Sequence, residues 1–181
     1  MRTATKRKRL PERFRDLDRT NQMHDQIVMW THKNAKRIAI DLWLEYGPSD
    51  VAEVRFKVWS EWEKLLKDNK YVVGFVDLVI HCEIEGRGSS NWPYHGQWNL
   101  GIEAKTHITS CGELIRQLRL YESKMGLGAR LGRMVVVSPD DQYAGLLRQQ
   151  GFGFIKYPDA DSQEQAEGTT AQSGENARRH M

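Results

Sequence analysis

Apolar and polar positions divide the chain into stretches of two different periods. Residues 21–34 place Met23, Ile27 and Trp30 at helical spacing. Residues 36–44 fit either a continued helix or a strand, because Ile38, Ile40 and Leu42 also alternate. Gly47, Pro48, Ser49 and Asp50 form a turn, with Ser49 or Asp50 placed to cap the next element. Residues 51–67 read as an amphipathic helix whose stripe is Val54, Val58, Glu61 or Trp62, and Leu65. Residues 71–84 are rich in β-branched and aromatic side chains and read as a strand. A polar, Gly-rich connection over 85–97 leads to a second strand over 98–105. Ser110 followed by Glu113 matches a capping box, opening a helix to about Met125 that Gly126 and Gly128 stop. Residues 133–138 are apolar at nearly every position, as in a parallel strand buried on both faces. A helix over 140–150 ends at Gly151, and 152–157 is a last strand. This alternation predicts an α/β fold, a mixed central sheet flanked by helices and joined by right-handed crossovers.

Composition bounds that picture. At 181 residues the chain fits one domain with a single substantial core, assigned to 21–157. Residues 1–20 carry eight Arg and Lys against Glu12, Asp16 and Asp18, while the remainder is slightly acidic. Such a basic, flexible arm can grip phosphates through counterion release, and its run Lys6-Arg7-Lys8-Arg9 also fits a nuclear-localisation patch. From 158 to 181 large apolar residues are missing until Met181, so this tail is expected to be disordered. No apolar run approaches the roughly 20 residues of a membrane helix. The N-terminus lacks the apolar stretch of a secretory signal. The expected location is cytoplasmic, or nuclear in a eukaryotic host. Cys82 and Cys111 are too few for a disulfide framework and read as reduced and buried.

The candidate chemistry lies between residues 74 and 121. On the strand that ends at Lys105, alternation sends Leu100, Ile102 and Ala104 into an apolar layer and Gly101, Glu103 and Lys105 to the other face. Small Gly101 leaves room beside the two charged residues. If the preceding strand pairs with this one, Asp77 meets Glu103 at a common edge. Two carboxylates and a lysine are costly to bury together unless a cation compensates. Mg²⁺ or Mn²⁺ suits such oxygen ligands, held by Asp77, Glu103 and the backbone carbonyl of Ala104. Lys105 then positions water and offsets charge on a reacting phosphate. Gln117 and Tyr121, four residues apart on the next helix, share a face from which they orient the lysine or hold a phosphate. An E-x-K triplet alone is usually an exposed ion pair of little worth. The order of the three pieces and their placement on strand, strand and helix carry the assignment.

Gly74-x-x-Asp77, Glu103-x-Lys105 and Gln117-x-x-x-Tyr121 together resemble the PD-(D/E)XK nuclease superfamily, in particular its RecB-like branch with the lambda-type exonucleases. The resemblance covers about 70–125, and the β-α-β tail to 157 is compatible with it. Val76 replaces the proline of the superfamily's name. The resemblance implies a restriction-endonuclease-like core and a Mg²⁺- or Mn²⁺-dependent DNA nuclease. Asp77, Glu103 and Lys105 are its catalytic positions, and Gln117 and Tyr121 the supporting motif. An exonuclease of recombination, repair or phage DNA processing is expected first. A structure-specific endonuclease of the Holliday-junction resolvase type comes next, then a non-catalytic nucleic-acid-binding module. The implied partners are DNA and either a second copy of the chain or a recombination protein. Iron–sulfur members need four cysteines, so no cluster is expected here.

The branch often adds a metal ligand upstream of the Asp strand. Glu53 is the first choice, on the helix expected over 51–67, followed by His32 and His24, with Glu45 and Glu61 also in the set. Arg116 and Arg119 flank Gln117 and are candidate phosphate contacts. His107 is a weaker one. Trp92, Tyr94, His95 and Trp98 could stack on bases or cover the sheet, and Trp30, Trp43, Trp59 and Trp62 are assigned to the core.

Overall fold

The structure, a computed structural model, describes residues 22–88, 91–126 and 132–158. The basic arm over 1–20, Gly128 and the tail beyond Pro158 lie outside these residues. Helices α1 (Gln22–Lys33) and α2 (Ala35–Tyr46) precede strands β1 (Val51–Asp68), β2 (Tyr71–Gly88) and β3 (Pro93–Ala104). Helix α3 (Cys111–Met125), strand β4 (Gly132–Ser138), helix α4 (Ala144–Gln149) and strand β5 (Gly153–Lys156) complete the order. The sheet follows sequence order, β1 to β5. Its first two pairings are antiparallel and its last two parallel, so the sheet is mixed, as expected.

Helices cover both faces. On one, Ile27 and Val28 of α1 and Ile38, Ala39, Leu42 and Trp43 of α2 pack on Leu78, Ile80, Leu100, Ile102, Val135 and Val137. On the other, Leu114, Leu118 and Tyr121 of α3 and Leu147 of α4 pack on Val79, Met134, Val136, Phe152 and Phe154. β4 contributes alternate residues to both cores, which explains its unbroken apolar run. Residues 36–44 resolve as helix, because Ile38, Ala39, Leu42 and Trp43 repeat as one helical face. Ser110 Oγ accepts the Glu113 N–H at 3.4 Å, and Gly126 closes α3 in the left-handed conformation at φ 66°. Cys82 and Cys111 are buried free thiols, and burial pushes Cys82 up to about 12. Among the described residues no helix is long and apolar enough to cross a membrane.

The helix expected over 51–67 is instead an 18-residue strand. Val54, Val58 and Trp62 satisfy both periods, but Phe56 decides between them. Val54, Phe56, Val58 and Trp62 all turn to the α1/α2 core, while Glu53, Arg55, Lys57 and Trp59 are exposed. Pairing with β2 then fixes the register from Val51 opposite Gly88 to Asp68 opposite Tyr71. Two glutamates interrupt the ladder in the left-handed region, Glu53 at φ 51° and Glu63 at φ 47°. Beyond Glu63 the hairpin turns its inner face: Leu66 and Val76 join the α3 core, whereas Trp62 and Leu78 belong to the α1/α2 core. Leu65, on the expected helical stripe, is therefore exposed. So is Trp59, stacked on His81 with centroids 5.3 Å apart rather than lying in the core.

The strand assignment separates two truncations. Phe56 meets Trp43 edge-on at 6.0 Å, so Phe56→Ala is expected to cost about 2 kcal/mol or more, and Leu65→Ala less than about 1 kcal/mol. Urea denaturation of both variants measures the difference. A Leu65→Ala cost equal to or above that of Phe56→Ala would return the segment to the helical stripe.

Candidate active site

The site forms where two strands stop pairing. The β2–β3 ladder runs from Arg87 opposite Pro93 to Leu78 opposite Ile102 and ends there. On its other edge β3 continues, the Lys105 N–H donating to Val137 O at 2.9 Å. Strand geometry turns alternate N–H groups to opposite edges, so the Ala104 N–H faces the gap left by β2. The Asp77 carboxylate fills that gap, its Oδ2 accepting the Ala104 N–H at 2.9 Å. The Ala104 carbonyl points to the same edge as its N–H. A side chain thus replaces a missing backbone partner, which sets Asp77 beside the strand that carries Glu103 and Lys105.

Glu103 is buried, with 4% of its surface exposed. Its Oε1 accepts from Lys105 Nζ at 2.6 Å and from Gln117 Nε2 at 2.8 Å. Its Oε2 is buried with no hydrogen-bond partner. Burial pushes the Glu103 carboxyl up to about 7, and the negative charge of Asp77 pushes the same way against the opposing pull of Lys105 and Gln117. The Gln117 amide also donates to Tyr121 Oη at 3.0 Å, so both of its hydrogens are used. Tyr121 in turn lies against the backbone of Gly74, where an added Cβ would meet Tyr121 Oη at 2.5 Å. Only glycine fits there. Gly74, Tyr121, Gln117, Glu103 and Lys105 are one contact chain, which Asp77 joins through the backbone of Ala104.

An imidazole reaches the same place from α1. His24 Nε2 lies 3.3 Å from Asp77 Oδ2, and His24 Nδ1 lies 3.4 Å from Asp25 Oδ1. The hydrogen bond to Asp77 raises the His24 pKa against the opposing effect of burial, with Asp25 adding to the rise. Asp25 is itself buried and is not among the candidates the sequence suggests. The available signal is an adjacent His-Asp pair in an apolar helix.

The other upstream candidates are elsewhere. Glu53 sits on β1, exposed, 3.3 Å from Arg87. Arg87 is ten residues along β2 from Asp77, roughly 33 Å of strand, so Glu53 is corrected as a ligand. His32 is eight residues after His24 on α1, about 12 Å along the helix. It bonds Ser60 Oγ at 2.7 Å and packs on Trp62 at 4.4 Å, and burial lowers its pKa. It too is corrected. Glu45 lies 3.9 Å from Arg148, and Glu61 3.6 Å from His81.

Among the phosphate candidates, Arg119 is turned to structure: it donates to Gln150 O at 2.6 Å and lies over the Phe152 ring at 4.6 Å. Arg116 is exposed on α3. His107 pairs with Asp140 at 2.7 Å. The connection expected over 85–97 is corrected: β2 runs to Gly88 and β3 starts at Pro93, because 85–87 and 93–97 pair across the ladder. Tyr94, His95 and Trp98 therefore stand on β3, away from the site, where Trp98 and Tyr94 pack on Trp43, and Trp92 is exposed. Gly101 leaves its room to methionine, since an added Cβ would meet Met134 Sδ at 2.5 Å and Met125 Sδ at 3.0 Å.

Among the described residues no three His, Cys, Asp or Glu side chains form a closed ligand set. A magnesium-type ion does not require one, because one or two carboxylates complemented by water and substrate phosphate suffice. The partnerless Oε2 of Glu103, beside a second carboxylate that raises its pKa, is a donor set short of one cation. The residues fit Mg²⁺ or Mn²⁺.

The raised Glu103 pKa has a consequence in metal-free protein. The folded chain holds this proton more tightly than the unfolded chain, so stability falls as pH rises from the ordinary 4.5 to about 7. In EDTA, Glu103→Gln is expected to match wild type near pH 5 and to exceed it by about 2 kcal/mol at pH 8. Denaturant melts at the two pH values measure this. A Glu103→Gln variant less stable than wild type at pH 8 would contradict the assigned burial cost.

No protein-family model matches the chain, and no curated protein matches it. Solved structures similar to it include EndoMS in complex with double-stranded DNA, at 20% identity and TM-score 0.32, covering 68% of this chain and 45% of that one. A repair endonuclease from Pyrococcus abyssi is similar at 17% identity and TM-score 0.31, covering 67% and 46%. EndoMS in its apo form follows at 16% and 0.25, covering 68% and 47%. The chain spans less than half the length of each. Likeness at this level carries no argument about chemistry, which rests on the side chains described above.

Proposed function

We propose that the chain is a divalent-metal-dependent deoxyribonuclease that hydrolyses phosphodiester bonds. One observation carries this reading: Asp77 and Glu103 converge at the end of the β2–β3 ladder, with Glu103 Oε2 buried without a partner and Lys105 Nζ 2.6 Å from Oε1. Asp77, Glu103 and the Ala104 carbonyl would hold the cation, and His24 is the candidate additional group in place of Glu53 and His32. Bound Mg²⁺ or Mn²⁺ supplies a polarised scissile phosphate and an attacking water of lowered pKa. Lys105, steadied by Glu103, presents its ammonium to that water and offsets charge developing on the phosphate. Gln117 fixes the Glu103 carboxylate, and Tyr121 fixes Gln117, so neither needs to touch substrate. DNA as substrate, and the exonuclease mode, follow from the family resemblance of the Gly-Asp, Glu-Lys and Gln-Tyr motifs.

The test uses labelled linear duplex, single-stranded, closed-circular and four-way-junction DNA with Mg²⁺, Mn²⁺ or EDTA. Wild type is expected to degrade linear DNA only with metal and to spare the circle. Asp77→Asn and Lys105→Ala are expected to lose at least about 10²-fold. Equal cleavage by wild type and variants would contradict the assignment. Cleavage of the circle or the junction would replace the exonuclease mode by an endonuclease.

A further inference from the structure

β1 and β2 outrun their neighbour. β3 stops pairing at Leu78, yet the β1–β2 hairpin continues from Lys64 opposite Val76 to Asp68 opposite Tyr71 and turns through Asn69, left-handed at φ 53°. One face of this extension is anchored to α3. Leu66 is buried there, Tyr121 lies on Gly74, and Lys124 Nζ holds Asp68 Oδ2 at 2.8 Å. The reverse face has no such cover. Leu65 and Phe75 are directly opposite each other in the ladder and both exposed, Phe75 by 56%. Val72, opposite Lys67, continues this exposed apolar face, whereas Tyr71, opposite Asp68 and 68% exposed, stands on the α3 side of the turn. Leu65, Val72 and Phe75 are thus three apolar side chains held in solvent on one face of a hairpin clamped from the other.

The setting says what covers them. Lys67 shares the face of Leu65 and Phe75, and Lys70 Nζ lies 5.5 Å above the Tyr71 ring at the turn, while Lys64 pairs with Glu61 at 3.4 Å and Lys124 with the extension's Asp68. The tip is therefore apolar, aromatic and cationic. Phe75 is two residues from Asp77 along β2, about 7 Å. For a strand whose phosphate lies at Asp77 and Glu103, Phe75 is within reach of an adjoining base and Lys67 of the backbone beside it.

We infer that the β1–β2 hairpin tip is a nucleobase-stacking site. Phe75 receives an unpaired base next to the scissile phosphate, and Lys67, on the same face, holds the adjoining backbone. The substrate class follows from the geometry of stacking: a base inside a duplex has both faces covered, so only a single strand or a frayed end offers one to an aromatic ring. The inference rests on the nuclease reading for its direction along the strand, but its own readout is binding.

Anisotropy in EDTA, where no cleavage interferes, measures binding of fluorescein-labelled single-stranded, frayed-end and blunt duplex DNA. Sedimentation velocity of each protein accompanies it. Phe75→Ala is expected to weaken single-stranded and frayed-end binding by roughly tenfold, with little change for blunt duplex, Phe75→Trp to retain it, and Tyr71→Ala, on the opposite face, to bind like wild type. Both residues are exposed, and an unchanged melting temperature verifies the fold. That pattern supports the site even if wild type cleaves nothing in Mg²⁺, in which case the nuclease reading alone fails. Wild type that cleaves DNA while Phe75→Ala binds like wild type overturns the stacking site and leaves the nuclease. Wild type that binds no DNA overturns both. A dimer that Phe75→Ala converts to monomer at unchanged DNA affinity assigns the tip to a second copy of the chain and overturns the inference.

Discussion

Two carboxylates share the end of one β-ladder, and much of the surrounding architecture answers the cost of placing them there. Asp77 is held because it substitutes for a backbone acceptor that β2 no longer supplies to Ala104. Glu103 is held because Lys105 and Gln117 both bond one of its oxygens. The other oxygen is buried and unpaired. An unpaired buried carboxylate oxygen is expensive, and proteins retain such strain where function requires it. A cation held by the two acids would offset that cost.

The same constraint organises more distant residues. Glu103 needs Gln117, Gln117 needs Tyr121, and the Tyr121 ring needs a residue without Cβ at position 74. That dependence joins two strands and a helix into a single device. It also explains the hairpin: Tyr121 and Lys124 of α3 clamp the β1–β2 extension from one side, leaving Phe75, Leu65 and Val72 on the other. α1 completes the arrangement by bringing His24 to Asp77 from the opposite core.

How much of this the sequence discloses depends on whether a feature is local. Glu103 and Lys105 are legible because a two-residue period on a short strand fixes their common face. Gln117 and Tyr121 are legible by helical spacing, and Ser110 by its cap. β1 is not legible, because Val54, Val58 and Trp62 satisfy a helix and a strand alike, and only pairing with β2 decides. The upstream ligand fails for the same reason. The helix expected to carry Glu53 does not exist, and the imidazole beside Asp77 comes from a helix whose approach is set by tertiary packing. Phe75 lies in an apolar strand, where the pattern by itself suggests burial. Its exposure arises from β2 extending past β3, a difference in length between neighbours that no single-strand pattern contains.

Mn²⁺ binding tests most directly whether Asp77 and Glu103 form one cation site. Titration of the metal-free protein, followed by electron paramagnetic resonance of free Mn²⁺, compares wild type with Asp77→Asn, Glu103→Gln and Glu53→Gln. Wild type and Glu53→Gln are expected to bind alike, and the two site variants to lose about tenfold or more in affinity. Equal binding by all four proteins, or a loss confined to Glu53→Gln, would contradict a cation shared by the two acids.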